Sequence, residues 1–250
     1  MSTTSRRLNR PGRPKTGRAE RDFVRSLRGV AEHVGHLIEG FPPGDPEMLA
    51  TLTQLLQAYA DALTPWARSV STHMLGEVNA RDRDTWRALG NEISKQLHRD
   101  IANAPIGDPI RQLLEEQVSL IRSIPIEAAQ RVHDLTLKGL EDSTRAAEIK
   151  AEIMRSGEVT ESRATLIART EVSRTAAILT QSRALYVGSE GYVWETSRDG
   201  DVRPSHREMQ GKLVRWDSPP TLDKMTGHAG CFPNCRCWAH VVLPGDSYSV

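Results

Sequence analysis

Three cysteines, Cys231, Cys235 and Cys237, fall within seven positions, and the chain has no others. An odd number packed this tightly is a poor disulfide framework, and clustered thiols in a reducing compartment are more commonly metal ligands or free thiols. Cys235 and Cys237 are two apart, so on a strand both would point to one face and both thiolates would reach one ion. Cys231 lies upstream across Phe232-Pro233-Asn234, a segment able to turn the chain back. Three soft donors are one short of tetrahedral Zn²⁺, whose remaining ligand is usually Cys or His. His206, His228 and His240 are the candidates. His206 is preferred, because it sits in a Pro- and Ser-flanked turn between two expected strands and would tie distant segments together. His228 lies in a Gly-flanked loop, and His240 would point to the opposite strand face from Cys237. The competing reading makes one thiol a small buried hydrophobe and leaves the others free. A catalytic Cys–His pair would also need an orienting group and an oxyanion site, and no such arrangement is recognisable.

Asp199, Asp201 and Arg203 surround Gly200 just ahead of His206. Asp199 is placed to orient His206 through a hydrogen bond, although Asp-Gly-Asp is also ordinary turn chemistry. Arg203 and Arg236 either pair with these acids or face a partner.

The elements that must carry these residues change character at Gly188. Beyond it Pro and Gly become frequent, helical period is lost, and β-branched or aromatic runs appear at 191–196, 212–216 and 235–243. Residues 197–200 and 218–220 read as turns. The expected product is a β-rich module over 188–250. It is about 60 residues, a size that usually needs a metal, a disulfide or a partner.

Residues 19–187 read as helical. Phe23, Leu27, Val30, Val34 and Leu37 recur at helical spacing. Asp45-Pro46 is a cap followed by a first-turn proline, and Leu49, Leu52, Leu56 and Leu63 continue a second stripe. Asp108-Pro109 repeats that start, with Leu113, Val118 and Ile121 behind it. Breaks are expected near Gly76 and at Pro65 and Pro125, with Thr160 capping a last helix that ends near Tyr186. Such stripes are core or helix–helix contacts and name no chemistry. The fold class is therefore α+β, a mainly α-helical N-terminal region followed by a small β-rich, metal-stapled C-terminal module.

Composition is 38% hydrophobic and 26% charged, with a formal net charge of +1. No run approaches the ~18 apolar residues of a membrane span, and the arginines near the start lack a following apolar stretch. A cytoplasm, or an assembly built in one, is the expected compartment. Residues 1–28 hold nine Lys/Arg against two acids, +7, which leaves −6 for the rest. Residues 1–18 read as a disordered basic tail. Its Arg6, Arg7, Arg10, Arg13, Lys15 and Arg18 suit phosphates or an acidic protein surface.

In order along the chain, Ala168-Arg169-Thr170-Glu171, Tyr192-Val193-Trp194, Thr196-Ser197-Arg198-Asp199, Arg203-Pro204-Ser205-His206, Gly211-Lys212-Leu213 and Asn234-Cys235-Arg236-Cys237 resemble the Mu F-like minor head proteins of phages. The resemblance covers 168–243 and adds Arg169 and Glu171 as motif residues. It departs at Phe232, where many relatives carry a His; Cys231, one residue earlier, would substitute with a one-residue adjustment. The resemblance implies a non-enzymatic minor capsid protein of the virion head, assembled in the host cytoplasm. It would associate with the portal, the major capsid or the scaffold protein, and with packaged DNA through the tail. Two other readings stand beside it. One is a zinc-dependent enzyme or toxin-associated module, for which zinc would keep an open position. The other is a general nucleic-acid-binding protein, against which the C-terminal region is not strongly basic.

Overall fold

The computed structural model describes residues 12–43, 45–88, 95–141 and 146–246. Among the described residues seven helices precede the first strand: α1 Gly17–Glu39, α2 Pro46–Ala62, α3 Thr64–Arg87, α4 Lys95–Ala102, α5 Gly107–Glu141, α6 Ala146–Met154 and α7 Ser156–Tyr186. Then come β1 Gly191–Glu195, the short α8 Pro204–Arg207, β2 Leu213–Arg215, β3 Thr221–Leu222, β4 Met225–Thr226 and β5 Trp238–Val242. The helix-then-strand order is the one the sequence predicts. No helix among the described residues is long and apolar enough to cross a membrane.

The chain divides into two compact units. One is helical and takes residues 18–74 and 113–169. Its α1 starts with Ala19 and Phe23 buried and continues through Leu27, Val30, Val34 and Ile38. At α2, Asp45 accepts a hydrogen bond from the Glu47 N–H at 2.9 Å, with Pro46 at the first helical position, which is the expected cap. Val34, Ile38, Leu52, Leu56, Ala128, Val132, Ile149 and Ile153 form the common core. Each of the large side chains among them contributes about 1.5–3 kcal/mol by leaving water.

Two expected interruptions are absent. α3 passes through Gly76 and α5 through Pro125. Proline removes one N–H and so frees the carbonyl of Ile121. Ile121, Ile124 and Ala128 are nevertheless fully buried around it, and this packing holds the helix together. Thr160 is not a cap either. It lies in the second turn of α7, its hydroxyl bonded back to the Ser156 carbonyl at 2.6 Å, as threonines inside helices do.

The second unit takes residues up to 17, 75–112 and 170–250. Its sheet has the order β2-β1-β5, all antiparallel, with Tyr192 opposite Val214 on one side and Val241 on the other. Gly191 is required there, since a Cβ would come within 2.5 Å of the Val214 carbonyl oxygen. β3 and β4 form a separate hairpin. The core of the sheet includes Trp86 from α3, Ile101 from α4 and Ala184 from α7, together with Tyr192, Trp194, Trp216, Phe232 and Val241. The expected boundary at 187/188 therefore marks the end of helical text, not the edge of the compact unit. A module of about 60 residues has too little interior of its own and takes the missing apolar surface from helices far away in sequence.

Arg6, Arg7 and Arg10 lie outside the described residues. Within the described part of the expected tail, residues 12–18, Pro14 and Thr16 are buried, and α1 already includes Arg18. Arg13 sits over the Trp238 ring at 5.9 Å, Arg18 pairs with Asp22 at 3.6 Å, and Lys15 is exposed.

Candidate metal centre

The loop 227–237 between β4 and β5 carries the cysteines, and α7 anchors it. The Asn234 N–H donates to the Thr170 hydroxyl at 2.9 Å, and the Ser173 hydroxyl donates to the Cys235 carbonyl at 2.8 Å. Gly230, at φ +89°, passes so close to the helix that a Cβ would meet Ala177 at 3.1 Å and the Cys237 carbonyl at 3.2 Å. Asn234 is left-handed at φ 51°, a conformation asparagine tolerates better than most residues. Arg203 closes the loop from the other side by donating to the Pro233 carbonyl.

His206 enters from α8 and is 2% exposed. Its imidazole Nδ1 lies 3.5 Å from the Cys235 sulfur and 3.6 Å from the Cys237 sulfur. The three ligand atoms lie within 4.8 Å of one another, and all three residues are buried. Aromatic rings wall the site. His206 is met edge-on by Phe232 at 4.8 Å and by Trp194 at 5.7 Å. The Trp194 indole N–H is buried, and the group it interacts with is the Cys237 sulfur.

The donor set fits a zinc-type ion. Zn–S of about 2.3 Å and Zn–N of about 2.0 Å at tetrahedral angles place sulfur and nitrogen roughly 3.5 Å apart, the separation seen here. An indole N–H beside a cysteine sulfur suits a metal thiolate, which accepts such bonds. The Cys235 thiol is drawn down to about 4 by the Cys237 thiol hydrogen-bonded to it, helped by His206 and the backbone N–H groups of Cys237 and Gly230. The Cys237 thiol is pushed up by the same contact and by burial. Two cysteine sulfurs beside an imidazole are a soft ligand set of the kind zinc takes.

Of the four expected ligands, His206, Cys235 and Cys237 come together. Cys231 is not among the residues whose ligand atoms cluster; its N–H closes a turn onto the His228 carbonyl at 3.0 Å. Its charged neighbours are Arg174, Cys235 and Glu171, and burial pushes its thiol up to about 11. Cys235 and Cys237 share a direction as expected, but in the irregular segment before β5, not on a strand. His228 is committed elsewhere, with Nδ1 3.3 Å from the Tyr192 hydroxyl and Nε2 3.2 Å from the Trp216 carbonyl. Asp199 does not orient His206; it accepts from Arg236 at 2.9 Å, and Asp201 does so at 3.2 Å. Arg169 pairs with Glu20 at 3.6 Å. Glu171 is buried near Arg174 at 3.5 Å. Between these two motif residues, Thr170 makes the contact to the cysteine loop. Sequence reasoning missed Thr170, Ser173 and Asp223, although the first stands inside the Ala-Arg-Thr-Glu run it singled out.

The molecule is thus defined as a helix-backed small sheet whose C-terminal loop closes on a buried His–Cys–Cys cluster. Residues 130–240 match the family described as Phage Mu protein F like protein, and this segment belongs to that family. A protein of Haemophilus influenzae described as uncharacterized is 33% identical over 163 residues, covering 65% of this chain and 36% of its own length. An Enterococcus faecalis protein named NAD(+)--arginine ADP-ribosyltransferase EFV is 32% identical over 166 residues, covering 62% of this chain and 33% of its own length. The chain therefore spans about a third of the curated relatives it matches. No solved structure matches it.

Proposed function

We propose that the chain is a minor structural protein of a phage head, acting in head morphogenesis, and that His206, Cys235 and Cys237 hold a structural Zn²⁺. The observation that carries the reading is the family match over 130–240, which spans the whole of α7 and the cluster it supports. The site geometry agrees with stabilisation. The cavity beside Cys237 is about 30 Å³, room for about one water and far below the several hundred Å³ of a substrate pocket. A larger groove of about 620 Å³ runs along Gly188, Glu190, Leu213, Arg215 and Val242, and none of the cluster residues lines it. Zinc would supply a fixed positive centre that binds two thiolates and an imidazole, clamping α8 and the cysteine loop. The portal, or the major capsid or scaffold protein, would be the binding partner, and the basic tail would touch packaged DNA.

The test is to co-produce the chain with the portal, scaffold and major capsid proteins of its phage and to separate the proheads by sedimentation. The chain is expected in the prohead fraction, and the Cys235→Ser/Cys237→Ser form is expected to be depleted there. A wild-type chain left at the top of the gradient would overturn the reading. Metal analysis of the purified chain, expected near one zinc per chain, tests the ion separately. A second reading, a module shared with enzymes, is favoured by the Enterococcus match. It predicts NAD⁺ consumption by the purified chain with an arginine acceptor, whereas the head-protein reading predicts none.

A further inference from the structure

The imidazole of His206 has two ends with different surroundings. Its Nδ1 faces the sulfurs. Its Nε2 lies 3.4 Å from an Arg203 guanidinium nitrogen and 3.9 Å from the Asp223 carboxylate. Asp223 is the first of two central residues in the β3–β4 hairpin, and both have positive φ, 50° for Asp223 and 66° for Lys224. A two-residue turn of that kind favours Asn or Asp followed by Gly, so a lysine in the second position is a tolerated strain. The hairpin adds little to the interior: Thr221, Met225 and Thr226 are exposed, and only Leu222 packs on the core. The Thr221 and Thr226 hydroxyls pin it at 2.7 Å. What it delivers is the Asp223 carboxylate, which accepts from the Ser205 hydroxyl at 3.0 Å and faces Arg203 at 3.9 Å.

These two partners are opposite in kind. An arginine only donates, so it suits an Nε2 without a proton. That is the tautomer in which Nδ1–H points at the Cys235 and Cys237 sulfurs, the arrangement we assign to the metal-free protein. An imidazole that ligates through Nδ1 carries its proton on Nε2 and needs an acceptor there. Asp223 is the carboxylate in reach. We infer that Asp223 is the positioning residue for His206 in the metal-bound protein, and that loading exchanges the Nε2 partner from Arg203 to Asp223. Ser205 holds the carboxylate on line, and Arg203 keeps its bond to the Pro233 carbonyl. The inference rests on the metal reading above and adds to it the group that fixes the histidine.

The test uses the full chain as wild type, Asp223→Asn, Ser205→Ala and Asp199→Asn, titrated with zinc against a chromophoric chelator. Asparagine tolerates positive φ, so Asp223→Asn leaves the turn intact. It is expected to bind zinc 10–100-fold more weakly, the usual loss for such a partner. Ser205→Ala loses less, and Asp199→Asn, whose partner is Arg236, loses nothing. All four should melt at the same temperature in EDTA. In zinc-loaded wild type the His206 Nε2–H proton should appear as a slowly exchanging downfield NMR resonance, and it should be lost in Asp223→Asn. Asp223→Asn affinity within twofold of wild type overturns the assignment and leaves the metal site standing. Weaker binding with an equally lowered metal-free melting temperature overturns it in favour of a purely architectural hairpin. A wild type that takes up no zinc overturns the underlying metal reading.

Discussion

Asp82 of α3 and Arg183 of α7 form an ion pair whose side chains are 1% and 3% exposed. The Thr180 hydroxyl also donates to Asp82 at 2.6 Å, and Arg183 donates to the Asn79 side-chain oxygen at 2.7 Å. Burial pushes the Asp82 carboxyl up to about 6 despite the guanidinium beside it, so desolvation outweighs the attraction. Two results follow. Asp82→Ala strands a buried guanidinium and should cost about 3–5 kcal/mol. At roughly 2–4 °C per kcal/mol for a chain of this size, the melting temperature should fall on the order of 10 °C. Asp82→Leu/Arg183→Met removes both charges and should lie within about 1 kcal/mol of wild type, since apolar replacement of a buried pair is often neutral. Urea unfolding followed by tryptophan fluorescence reads both, because Trp86 and Trp194 sit in the core of the same unit. If the double variant is as unstable as Asp82→Ala, the pair stabilises by attraction and the desolvation argument is wrong.

Gly230→Ala should destabilise the strand-bearing unit by about 1–3 kcal/mol, because the Cβ lands 3.1 Å from Ala177 at φ +89°; a melting temperature equal to wild type would show that α7 gives way instead. His228 is held neutral by burial, its pKa lowered in the fold. The unfolded chain then binds the extra proton first, so the His228 contribution is present above its unfolded value of about 6.5 and is lost as pH falls below it. Stability from pH 7 to 5 should drop more steeply in wild type than in His228→Gln, and parallel curves would refute this. Replacing Arg6, Arg7 and Arg10 by glutamine should flatten the salt dependence of duplex DNA binding by about 0.9 in log–log slope per lost phosphate contact; an unchanged slope removes the tail from DNA contact.

Local signals in the sequence carried far. The Asp45-Pro46 start of α2, the Phe23 to Val34 stripe and the end of α7 at Tyr186 all rest on chemistry within a few residues, and all three are where that chemistry puts them. His206 as partner of Cys235 and Cys237 was legible from ligand type and from its place between two strands. The misses depend on contacts across the chain. Pro125 is accommodated by packing around Ile121 and Ala128, which no local rule contains. Cys231 lies outside the clustered ligand atoms, in a backbone turn onto His228 that its spacing from Cys235 does not announce. Asp199 was the nearer carboxylate in sequence, but the hairpin at Asp223 is the nearer one in space. The unit boundary failed for the same reason, since Trp86 and Ile101 belong to a core whose strands lie about 100 residues later.

That separation sets a timetable for biosynthesis. A ribosome adding about 5–20 residues per second releases Trp86 and Ile101 roughly 5–30 seconds before Tyr192, Trp216 and Val241 exist to cover them. The Asp82 carboxylate waits equally long for Arg183. For that interval Trp86, Ile101 and Asp82 wait without the partners that bury them in the finished fold. Completion of the second unit is thereby tied to emergence of the cysteine loop, so a chain truncated before β5 would leave its early helices unshielded, not merely lack its last strand.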